Sequence, residues 1–393
     1  MTPPPSLYLL DPEPAPPWAP FAGARPLCEL RAGAHLVRER WERFAGVPTR
    51  EIFALPHLSG FAESGVPPVV ARHPVTGPAL IASSIFAPRG SLPPVPRGLL
   101  RLTCEGITVG WGVGAGATWE APQQGAATIE VRGLVLRGVY DLIHALETLL
   151  PEDLTALLGD SDAIPRGSTI LGDPAALGLH GAVVEPGVVF DTRGGPVVLE
   201  QGVEVRGGGT RLEGPLWVGA GTRLLGGTIR GSALGPRCTI RGELATSAFL
   251  GFANKAHDGF VGHSVVGRWV NLGAGTITSN LKNTYGLVRL APGEGDASVA
   301  TGRMFLGSLI GDHAKTAIGT LLATGTVIGT GASVFGDVRP PKYIAPFAWG
   351  SGGARMTREG FLATAERVLP RRDVPMDDVT RSLLSRIYDW ATG

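Results

Sequence analysis

A six-residue repeat constrains this chain more than any other feature of its sequence. From about residue 164, an aliphatic residue recurs at every sixth position, often followed by Gly and, four positions on, by a small or β-branched residue. Two uninterrupted runs show the spacing: Leu212, Val218 and Leu224, and then Ile310, Thr316, Leu322, Ile328 and Val334. The unit aliphatic-Gly-x-x-small-x is the hexapeptide signature of a parallel β-helix, a solenoid of stacked coils.

The repeat also predicts how each coil is built. One hexad makes a short strand and a turn, and three hexads, about 18 residues, close one triangular coil. The aliphatic residues then point inward and form a continuous core, while Gly accepts the backbone geometry at the corners. A strict period of six does not fit an amphipathic α-helix, whose pattern repeats every 3.6 residues. We therefore predict a parallel β-helix over residues 161–345.

The repeat is disturbed twice, on either side of the segment VVGRWVNLGAGT. Between residues 250 and 266 the period slips, and from 278 to about 304 it disappears. The stretch 254–283 concentrates two His, two Lys, one Asp and four Asn in a region otherwise rich in Gly, Val, Leu and Thr. Loops that break a solenoid usually project from one face and are often functional. We expect projecting loops at both interruptions and a functional site between them.

The segments that flank the repeat predict a domain at each end. Strand candidates at 7–10 and 78–88 alternate with a charged helix within 29–46 and one or two amphipathic helices at 139–159. This mixture predicts an α/β domain over residues 1–160. Residues 346–393 contain two helical patterns, TREGFLATAERVL and DDVTRSLLSRIYDWA, which predict a short helical tail.

Composition bears on partners and compartment. Hydrophobic residues make up 44% and charged residues 18% of the chain, with a formal net charge of +1, so charge gives no argument for nucleic acid or an anionic membrane. Cys28, Cys104 and Cys238 show no metal or disulfide spacing, which favours a reducing compartment. The N-terminus has no signal-peptide pattern, and no apolar run approaches about 20 residues. We expect a cytoplasmic protein without nucleic-acid or membrane partners.

A family resemblance rests on three stretches within residues 245–350: NKAHDGFVGHSVVGRWVNLGAGTITSNLKNTYG, GDHAKTAIGTLLATGTVIG and PPKYIAPFAWG. With ELRAGAHLVRERWER near the N-terminus, they resemble the GlmU-like sugar nucleotidyltransferase family. That family is related to the bifunctional N-acetylglucosamine-1-phosphate uridyltransferase/glucosamine-1-phosphate acetyltransferase. The resemblance implies a left-handed β-helix, a shortened nucleotidyltransferase-like N-terminal domain, a homotrimer with active sites between subunits, and acetyl-CoA or another acyl-CoA as donor.

The resemblance also assigns residues to roles. His257 occupies the position of the acetyltransferase general base, and Asn280 that of a substrate- or donor-binding asparagine; Asn271, Lys282 and Ser308 fall in or near matching segments. Acyl transfer from a thioester needs a neutral amine as nucleophile, and histidine is the natural base near pH 7. Asp258, next in sequence, is placed to orient the imidazole. The alternative is an exposed histidine in a loop.

The other polar residues of the stretch have two interpretations each. Lys255 and Lys282 either bind phosphate groups of a nucleotide or CoA or are solvated surface charges. Asn271 either donates to substrate or belongs to a stacked asparagine ladder inside the coils. His263 and His313 invite a metal site together with His257. His257 and His263 are six residues apart, however, which places their side chains on consecutive faces of a regular coil, so we expect no metal and a site-lining or structural role for His263 and His313.

Two departures from the family leave the acyl acceptor open. The bifunctional enzyme has Tyr three residues after its catalytic histidine, whereas this chain has Phe260, which cannot donate a hydrogen bond. The lysine-bearing phosphate clamp upstream of that histidine is replaced by GELATSAFLG.

The N-terminal domain departs further. Its first strand runs into the Pro-rich LLDPEPAPPWAPFAG, where nucleotidyltransferases of this type have a Gly-rich loop that approaches phosphates. The candidate nucleotide-binding residues are Arg25, Arg31, Gly33 and Arg38. Nucleotidyl transfer would also need Mg²⁺ held by carboxylates, for which Asp11 and Asp141 are candidates. The alternative is a binding or oligomerisation remnant.

These observations predict a cytoplasmic homotrimeric enzyme that transfers an acyl group, most simply acetyl, from CoA to a sugar phosphate or nucleotide-sugar. His257 would be its general base. Two alternatives stay open: a sugar-1-phosphate nucleotidyltransferase that uses the N-terminal domain, and a non-catalytic trimeric scaffold.

Overall fold

The computed structural model of the protein describes residues 5–93, 98–122 and 127–393. Its N-terminal region mixes strands with helices. In chain order the elements described there are β1 (Ser6–Leu10), β2 (Arg31–Ala32), β3 (His35–Leu36), α1 (Val37–Ala45), β4 (Thr49–Phe53), β5 (Val69–Val70), β6 (Val75–Thr76), β7 (Ala79–Ser83), β8 (Phe86–Pro88), β9 (Leu99–Cys104), β10 (Ile107–Val113), β11 (Thr118–Trp119), β12 (Ala127–Glu130), β13 (Gly133–Val135), α2 (Asp141–Thr148) and α3 (Leu150–Leu157).

A mixed sheet forms the centre of this region. Within the described ranges its strand order is β12-β9-β10-β7-β1-β4-β5. β1 pairs in parallel with β4 and β7, whereas β10 pairs antiparallel with β7 and β9. The apolar sequence SLYLL suits β1 because this strand has a neighbour on each side and is buried along most of its length. The prediction of an N-terminal α/β region is confirmed.

Helix α1 follows from its sequence pattern. Val37, Trp41 and Phe44 recur at helical spacing and are buried on one face. The Glu39 carboxylate accepts the backbone N–H of the residue before the helix, and Gly46 ends it in the left-handed conformation with φ 71°.

The solenoid begins at β14 and ends at β40. Its strands in chain order are β14 (Thr169–Leu171), β15 (Leu177–Leu179), β16 (Val183–Val184), β17 (Val189–Asp191), β18 (Val197–Leu199), β19 (Glu204–Val205), β20 (Arg211–Glu213), β21 (Leu216–Val218), β22 (Arg223–Leu224), β23 (Thr228–Arg230), β24 (Ala233–Leu234), β25 (Thr239–Ile240), β26 (Glu243–Ala245), β27 (Ala248–Phe249), β28 (Asn254–Lys255), β29 (Phe260–Gly262), β30 (Val265–Val266), β31 (Asn271–Leu272), β32 (Ile277–Thr278), β33 (Arg289–Leu290), β34 (Val299–Ala300), β35 (Leu309–Ile310), β36 (Lys315–Thr316), β37 (Leu321–Leu322), β38 (Val327–Ile328), β39 (Ser333–Val334) and β40 (Tyr343–Ile344).

Apart from the pair β32–β37 and the hairpin β33–β34, which lies outside the solenoid, these strands stack into three parallel sheets that form the faces of the solenoid. The first face has the order β14-β17-β20-β23-β26-β29, the second β15-β18-β21-β24-β27-β30-β35-β38-β40 and the third β16-β19-β22-β25-β28-β31-β36-β39. The pair β32-β37 lies above β29. The repeat anchors Leu212, Val218, Leu224, Ile310 and Ile328 are fully buried in one apolar core. The predicted parallel β-helix is confirmed, while its left-handedness stays a prediction.

The two interruptions of the repeat behave differently. Asn254 pairs with Thr239, fifteen residues earlier, and with Asn271, seventeen residues later, so the coil through residues 250–266 never leaves the solenoid. The prediction of a projecting loop there is wrong, because shorter corners absorb the missing residues. The second interruption does leave the solenoid: it contains the antiparallel hairpin β33–β34, and the second face resumes where Val265 pairs with Leu309.

The predicted helical tail is confirmed as α4 (Arg358–Val368) and α5 (Asp378–Thr392). Thr357 and Asp377 cap them by accepting backbone N–H groups of their first turns. The tail touches both other parts of the chain: Phe361 packs edge-on against His313 of the solenoid, with ring centres 5.6 Å apart, and Arg386 donates to the carbonyl of His57. Within the described ranges, each helix is too short or too polar to span a membrane.

Helices α2 and α3 lie against the second face of the solenoid, where they contact β18, β21 and β27. One apolar core therefore joins the N-terminal region, the second face and the tail. The corner between the third and first faces is not part of this core. His257 lies at that corner.

Candidate functional site

The predicted site residues occupy different corners of the solenoid. His257 and Asp258 lie between β28 and β29, at the corner that joins the third face to the first. Both side chains are exposed. Asp258 pairs with Arg241, with 3.1 Å between Oδ1 and Nε, rather than with His257. The predicted orientation of His257 by Asp258 therefore stays a prediction.

Lys255 fixes the backbone of this corner. Its side chain is buried, and Nζ donates to the carbonyls of His257 and Arg241, each at 2.8 Å. Burial lowers the pKa of the ammonium to about 8, and Asp258 opposes this shift. The ammonium of Lys255 is thus hydrogen-bonded to backbone carbonyls inside the corner, so a bound phosphate is not needed to explain why a lysine lies here.

His263 and Asn280 meet at the next corner, between the first and second faces. The Asn280 amide Nδ2 donates to His263 Nδ1 over 2.8 Å, and the imidazole stacks on Phe305 with ring centres 5.2 Å apart. Burial lowers the pKa of His263 to about 4, although Glu147 opposes this. His263 is therefore neutral at pH 7, with its proton on Nε2.

A single chain does not bring His257 and Asn280 together. They lie at opposite ends of β29, because Asn280 bonds His263 just after this strand and His257 lies three residues before it. Six residues of extended chain span up to about 20 Å. Among the described residues, the hydrogen bond of the Asn280 amide goes to His263 and not to His257.

Lys282 lies in a cationic groove beside Asn280. The groove has a volume of about 700 Å³ and is formed by β32, β37, the loop that follows each, and the segment between β39 and β40. Its charged lining residues are Lys282, Arg339 and Lys342. The pKa of Lys342 is lowered by burial and by the charge of Lys282, while Lys282 Nζ donates to the carbonyl of Leu287 at 2.6 Å.

Sequence reasoning missed Arg339 and Lys342 as members of this groove. The signal was present, since all four lysines of the chain fall between residues 255 and 342. What the sequence did not show is that two of them would meet across the pair β32–β37.

Asn271 and Ser308 belong to stacked rows. Asn254 Nδ2 donates to Asn271 Oδ1 at 2.7 Å, and this asparagine ladder runs along the outside of the third face rather than inside the coils. Ser308 is fully buried, and its backbone N–H donates to the Ser264 hydroxyl at 2.9 Å in a ladder of serines. The surroundings of Ser308 are those of a structural residue.

Arg25 and Arg31, predicted to bind nucleotide, connect the N-terminal region to the solenoid. Arg25 is buried and bonds Asp312 at 2.7 Å and Glu63 at 2.6 Å. Arg31 donates to the carbonyl of Ala34 and lies over the ring of Trp217, with its Cζ 4.3 Å from the ring centre.

The other two predicted nucleotide-binding residues are also engaged within the protein. Arg38 bonds Glu29 at 2.5 Å and Glu42 at 3.2 Å. Gly33 has φ +72°, and a β-carbon there would clash with Asp153. The structure does not gather these four residues around an open cleft, and their nucleotide-binding role stays a prediction.

The carboxylates considered for Mg²⁺ do not fit such a site. Asp11 accepts the N–H of Leu27 at 3.0 Å, and burial raises its pKa to about 7. Asp141 accepts the N–H of Arg137 at 2.8 Å. In the part of the chain that the structure describes, no three His, Cys, Asp or Glu side chains cluster as metal ligands would.

Comparison with known proteins gives one partial match. A bifunctional sugar-1-phosphate nucleotidylyltransferase/acetyltransferase from Sulfurisphaera tokodaii is 32% identical over 94 residues. The match covers 24% of this chain and 23% of the relative, so the chain spans about a quarter of that protein's length. It supports the family resemblance at a general level. No family model matches the chain.

Proposed function

We propose that this protein transfers an acyl group from a CoA thioester to an amino group of a sugar phosphate or nucleotide-sugar. His257 acts as the general base, and each active site forms between two copies of the chain. The name of the partial relative, which includes an acetyltransferase, supports this class of reaction.

The position of His257 is the observation that carries the proposal. The imidazole is exposed at the corner left open by the N-terminal region and the tail, and the backbone beneath it is held by two hydrogen bonds from Lys255. A general base must reach the proton it abstracts and must be held in place by its surroundings. The exposed ring meets the first requirement, and the fixed backbone beneath it supports the second.

The cationic groove of Lys282, Arg339 and Lys342 suits the donor. CoA carries several phosphate groups. Within the described part of the chain the three cations of this groove form no ion pair, and together in a volume of about 700 Å³ they attract such a molecule. Arginine and lysine bind phosphate by charge-assisted hydrogen bonds. We place the phosphates of the donor in this groove.

The reaction then needs few groups from the protein. The amine nitrogen attacks the thioester carbonyl carbon, His257 takes the proton that the nitrogen loses, and the carbon–sulfur bond breaks as the tetrahedral intermediate collapses. The CoA thiolate leaves and receives the proton that His257 had taken, so CoA and the N-acylated sugar are the products and His257 is neutral again.

An assembly of chains would bring the corners together. The segment that leaves the solenoid beside Asn280 carries exposed apolar side chains, with Tyr285 67% and Leu287 57% exposed. Exposed apolar groups on a projecting segment are typical of a surface that packs against another chain. The His257 corner of one copy can then lie beside the Asn280 corner of the next.

Thiol release from acetyl-CoA tests the reaction. The purified protein is assayed with a panel of amino-sugar 1-phosphates and nucleotide amino-sugars, next to His257→Asn and to His144→Asn, which changes an exposed histidine in α2. We expect release that depends on one acceptor, falls at least about 100-fold in His257→Asn, and is unchanged in His144→Asn. Release that survives in His257→Asn would refute the assigned base.

Mixing two inactive variants tests where the site lies. Random trimers of equal amounts of His257→Asn and Asn280→Ala contain intact sites only if neighbouring subunits supply the two residues, and about a quarter of sites are then intact. We expect recovery towards a quarter of wild-type activity after co-refolding. No recovery, with mixed oligomers shown by mass spectrometry, would place both residues in one subunit.

Pyrophosphate release from UTP serves as the counter-assay for the N-terminal region. Because Arg25, Arg31 and Arg38 are bound by protein groups, we expect none. UTP-dependent pyrophosphate release without thiol release would favour the nucleotidyltransferase alternative, and absence of both with a folded oligomer would favour the scaffold.

A further inference from the structure

A second cationic cavity lies where the tail crosses the third face of the solenoid. Its volume is about 320 Å³. The solenoid contributes the outer row of its third face, and the tail contributes the end of α4 and the turn that follows. The residues that matter are Asn254, Asn271, Lys315, Trp269, Arg371 and Arg372. None of its cations takes part in the acyl transfer proposed above.

The charge of this cavity is not balanced by protein groups. Lys315, Arg371 and Arg372 line it, and its lining includes no carboxylate. Among the described residues, no carboxylate oxygen lies within 4 Å of their side-chain nitrogens, since the ion pairs of the structure involve other residues. Its nearest acidic neighbour in sequence, Asp373, pairs instead with Arg237 at 3.0 Å.

Arg372 is held in place without being neutralised. Its Nε donates to the carbonyl of Arg237 at 3.3 Å, and Nη2 donates to the Thr239 hydroxyl at 3.2 Å. Burial lowers its pKa, and the like charges of Arg371, Arg223 and Arg237 lower it further, against the effect of Cys238. A fixed guanidinium surrounded by like charges favours an anion.

Lys315 is the most enclosed of the three cations. Its Nζ donates to the carbonyl of His313 at 3.0 Å, and an ammonium has three N–H donors. Burial lowers its pKa to about 8. The groups that could tune this charge are His313, two residues before it, and Arg371 and Arg372 on the tail; all three are neutral or cationic at pH 7.

The wall beside these cations is rigid. Phe252 and Trp269 pack with ring centres 4.5 Å apart and ring planes tilted by 30°, and both have left-handed backbones, with φ 55° and 62°. Such conformations are rare for aromatic residues and persist only where the surroundings enforce them. The asparagine ladder of Asn254 and Asn271 adds amide groups at the rim.

We infer that this cavity binds a phosphate-type oxyanion, carried by a small molecule, between Lys315 of the solenoid and Arg371 and Arg372 of the tail. The volume of about 320 Å³ lies at the lower end of the range for small-molecule sites, which suits a small ligand that carries a phosphate. An anion here favours the charged form of Lys315, so binding at pH 8 takes up to about half a proton from the buffer.

Calorimetric titration with inorganic phosphate and with pyrophosphate tests the inference, in the absence of any CoA thioester or sugar. Wild-type protein is compared with Lys315→Met and Arg371→Gln. Two controls are Arg381→Gln, an exposed arginine of α5 paired with Glu366, and Lys342→Met in the donor groove. The wild-type titration is repeated at pH 8 in buffers of different ionisation enthalpy. The dependence of the observed binding enthalpy on the buffer then gives the number of protons taken up on binding.

We expect saturable binding to this cavity that weakens about tenfold or more in Lys315→Met and Arg371→Gln and is unchanged in Arg381→Gln. Lys342→Met should remove any binding of the same anions to the donor groove and leave binding to this cavity in place. Arg371 is exposed, so its variant stays informative if Lys315→Met fails to fold. No saturable binding to wild type up to about 10 mM would overturn the inference. So would binding lost only in Lys342→Met, which would place the anion in the donor groove.

Discussion

Replacing Arg25 by Met tests how the N-terminal region is attached to the solenoid. The side chain of Arg25 is 1% exposed and bridges Glu63 to Asp312. Asp312 is itself buried, and its other oxygen accepts the N–H of Arg268 at 2.8 Å. Arg25→Met keeps the length of the side chain but leaves a buried carboxylate without its cation. Breaking a buried pair in this way costs roughly 3–5 kcal/mol.

The loss in free energy of unfolding caused by Arg25→Met depends on pH, and the burial of Asp312 determines whether it grows or shrinks as pH rises. Burial raises the pKa of Asp312 above its ordinary value, and Arg25 opposes this, so the pKa rises further in the variant. A carboxyl with a raised folded pKa keeps its stabilising contribution below its unfolded pKa of about 3.9 and loses it as pH rises. Relative to wild type, the destabilisation therefore grows with pH between the folded pKa of Asp312 in wild type and its higher folded pKa in the variant, by up to roughly 1.4 kcal/mol per unit.

Hydrogen exchange followed by mass spectrometry measures the effect where it arises. A decrease of about 3 kcal/mol in the free energy of local unfolding speeds the exchange of backbone amide hydrogens roughly 100-fold in peptides that cover residues 266–270 and 310–315. Thermal unfolding should show a smaller difference from wild type at pH 5 than at pH 7.5. The matched control is Arg241→Met, whose exposed pair with Asp258 contributes about 0–1 kcal/mol.

A double variant decides whether the uncompensated charge is the cause. Arg25→Met with Asp312→Asn removes that charge, and we expect it to regain part of the lost protection. If Arg25→Met exchanges like wild type at pH 7, or if the difference does not shrink at pH 5, the argument from a buried ion pair is wrong.

Two further predictions test local geometry. Gly33→Ala and Gly46→Ala both place a side chain at positive φ, +72° and +71°, which costs about 1–2 kcal/mol. Only the β-carbon of Gly33→Ala also collides with Asp153, so the midpoint temperature of thermal unfolding should fall further in Gly33→Ala than in Gly46→Ala. Equal midpoint temperatures would refute the clash. In an NMR titration His263 should titrate near pH 4 and move up by about one unit in Asn280→Leu, because the hydrogen bond to neutral Nδ1 is lost; an unchanged midpoint would contradict this.

The fold was predictable where the sequence repeats. Leu212, Val218 and Leu224 lie at the same depth in successive faces, and a period of six leaves no other regular structure that buries all three. The slip at 250–266 was misread because a shortened coil and a projecting loop disturb the period in the same way. Only the strand pairing of Asn254 with both neighbouring coils distinguishes them.

The roles of the N-terminal arginines were not predictable for a physical reason. Arg25 lies 287 residues before its partner Asp312, and no local pattern records a contact of that separation. Arginines near the first strand therefore resemble phosphate ligands in the sequence. In the structure their charges are taken up by Asp312, Glu63 and Glu29, or, for Arg31, by a carbonyl and an indole ring.

Lys255 and Lys315 show why burial alone does not identify a binding site. They lie on the same face of the solenoid, and burial lowers the pKa of each to about 8. Lys255 donates to two backbone carbonyls and serves the corner below His257, whereas Lys315 donates to one and faces a cavity with two further cations. A buried cation whose hydrogen bonds go to protein groups has a structural role. A buried cation that lacks such partners and lies next to a cavity indicates a binding site for a ligand. By this criterion Lys255→Met should destabilise the corner below His257 without affecting phosphate binding. Lys315→Met should weaken phosphate binding and leave the stability of that corner unchanged.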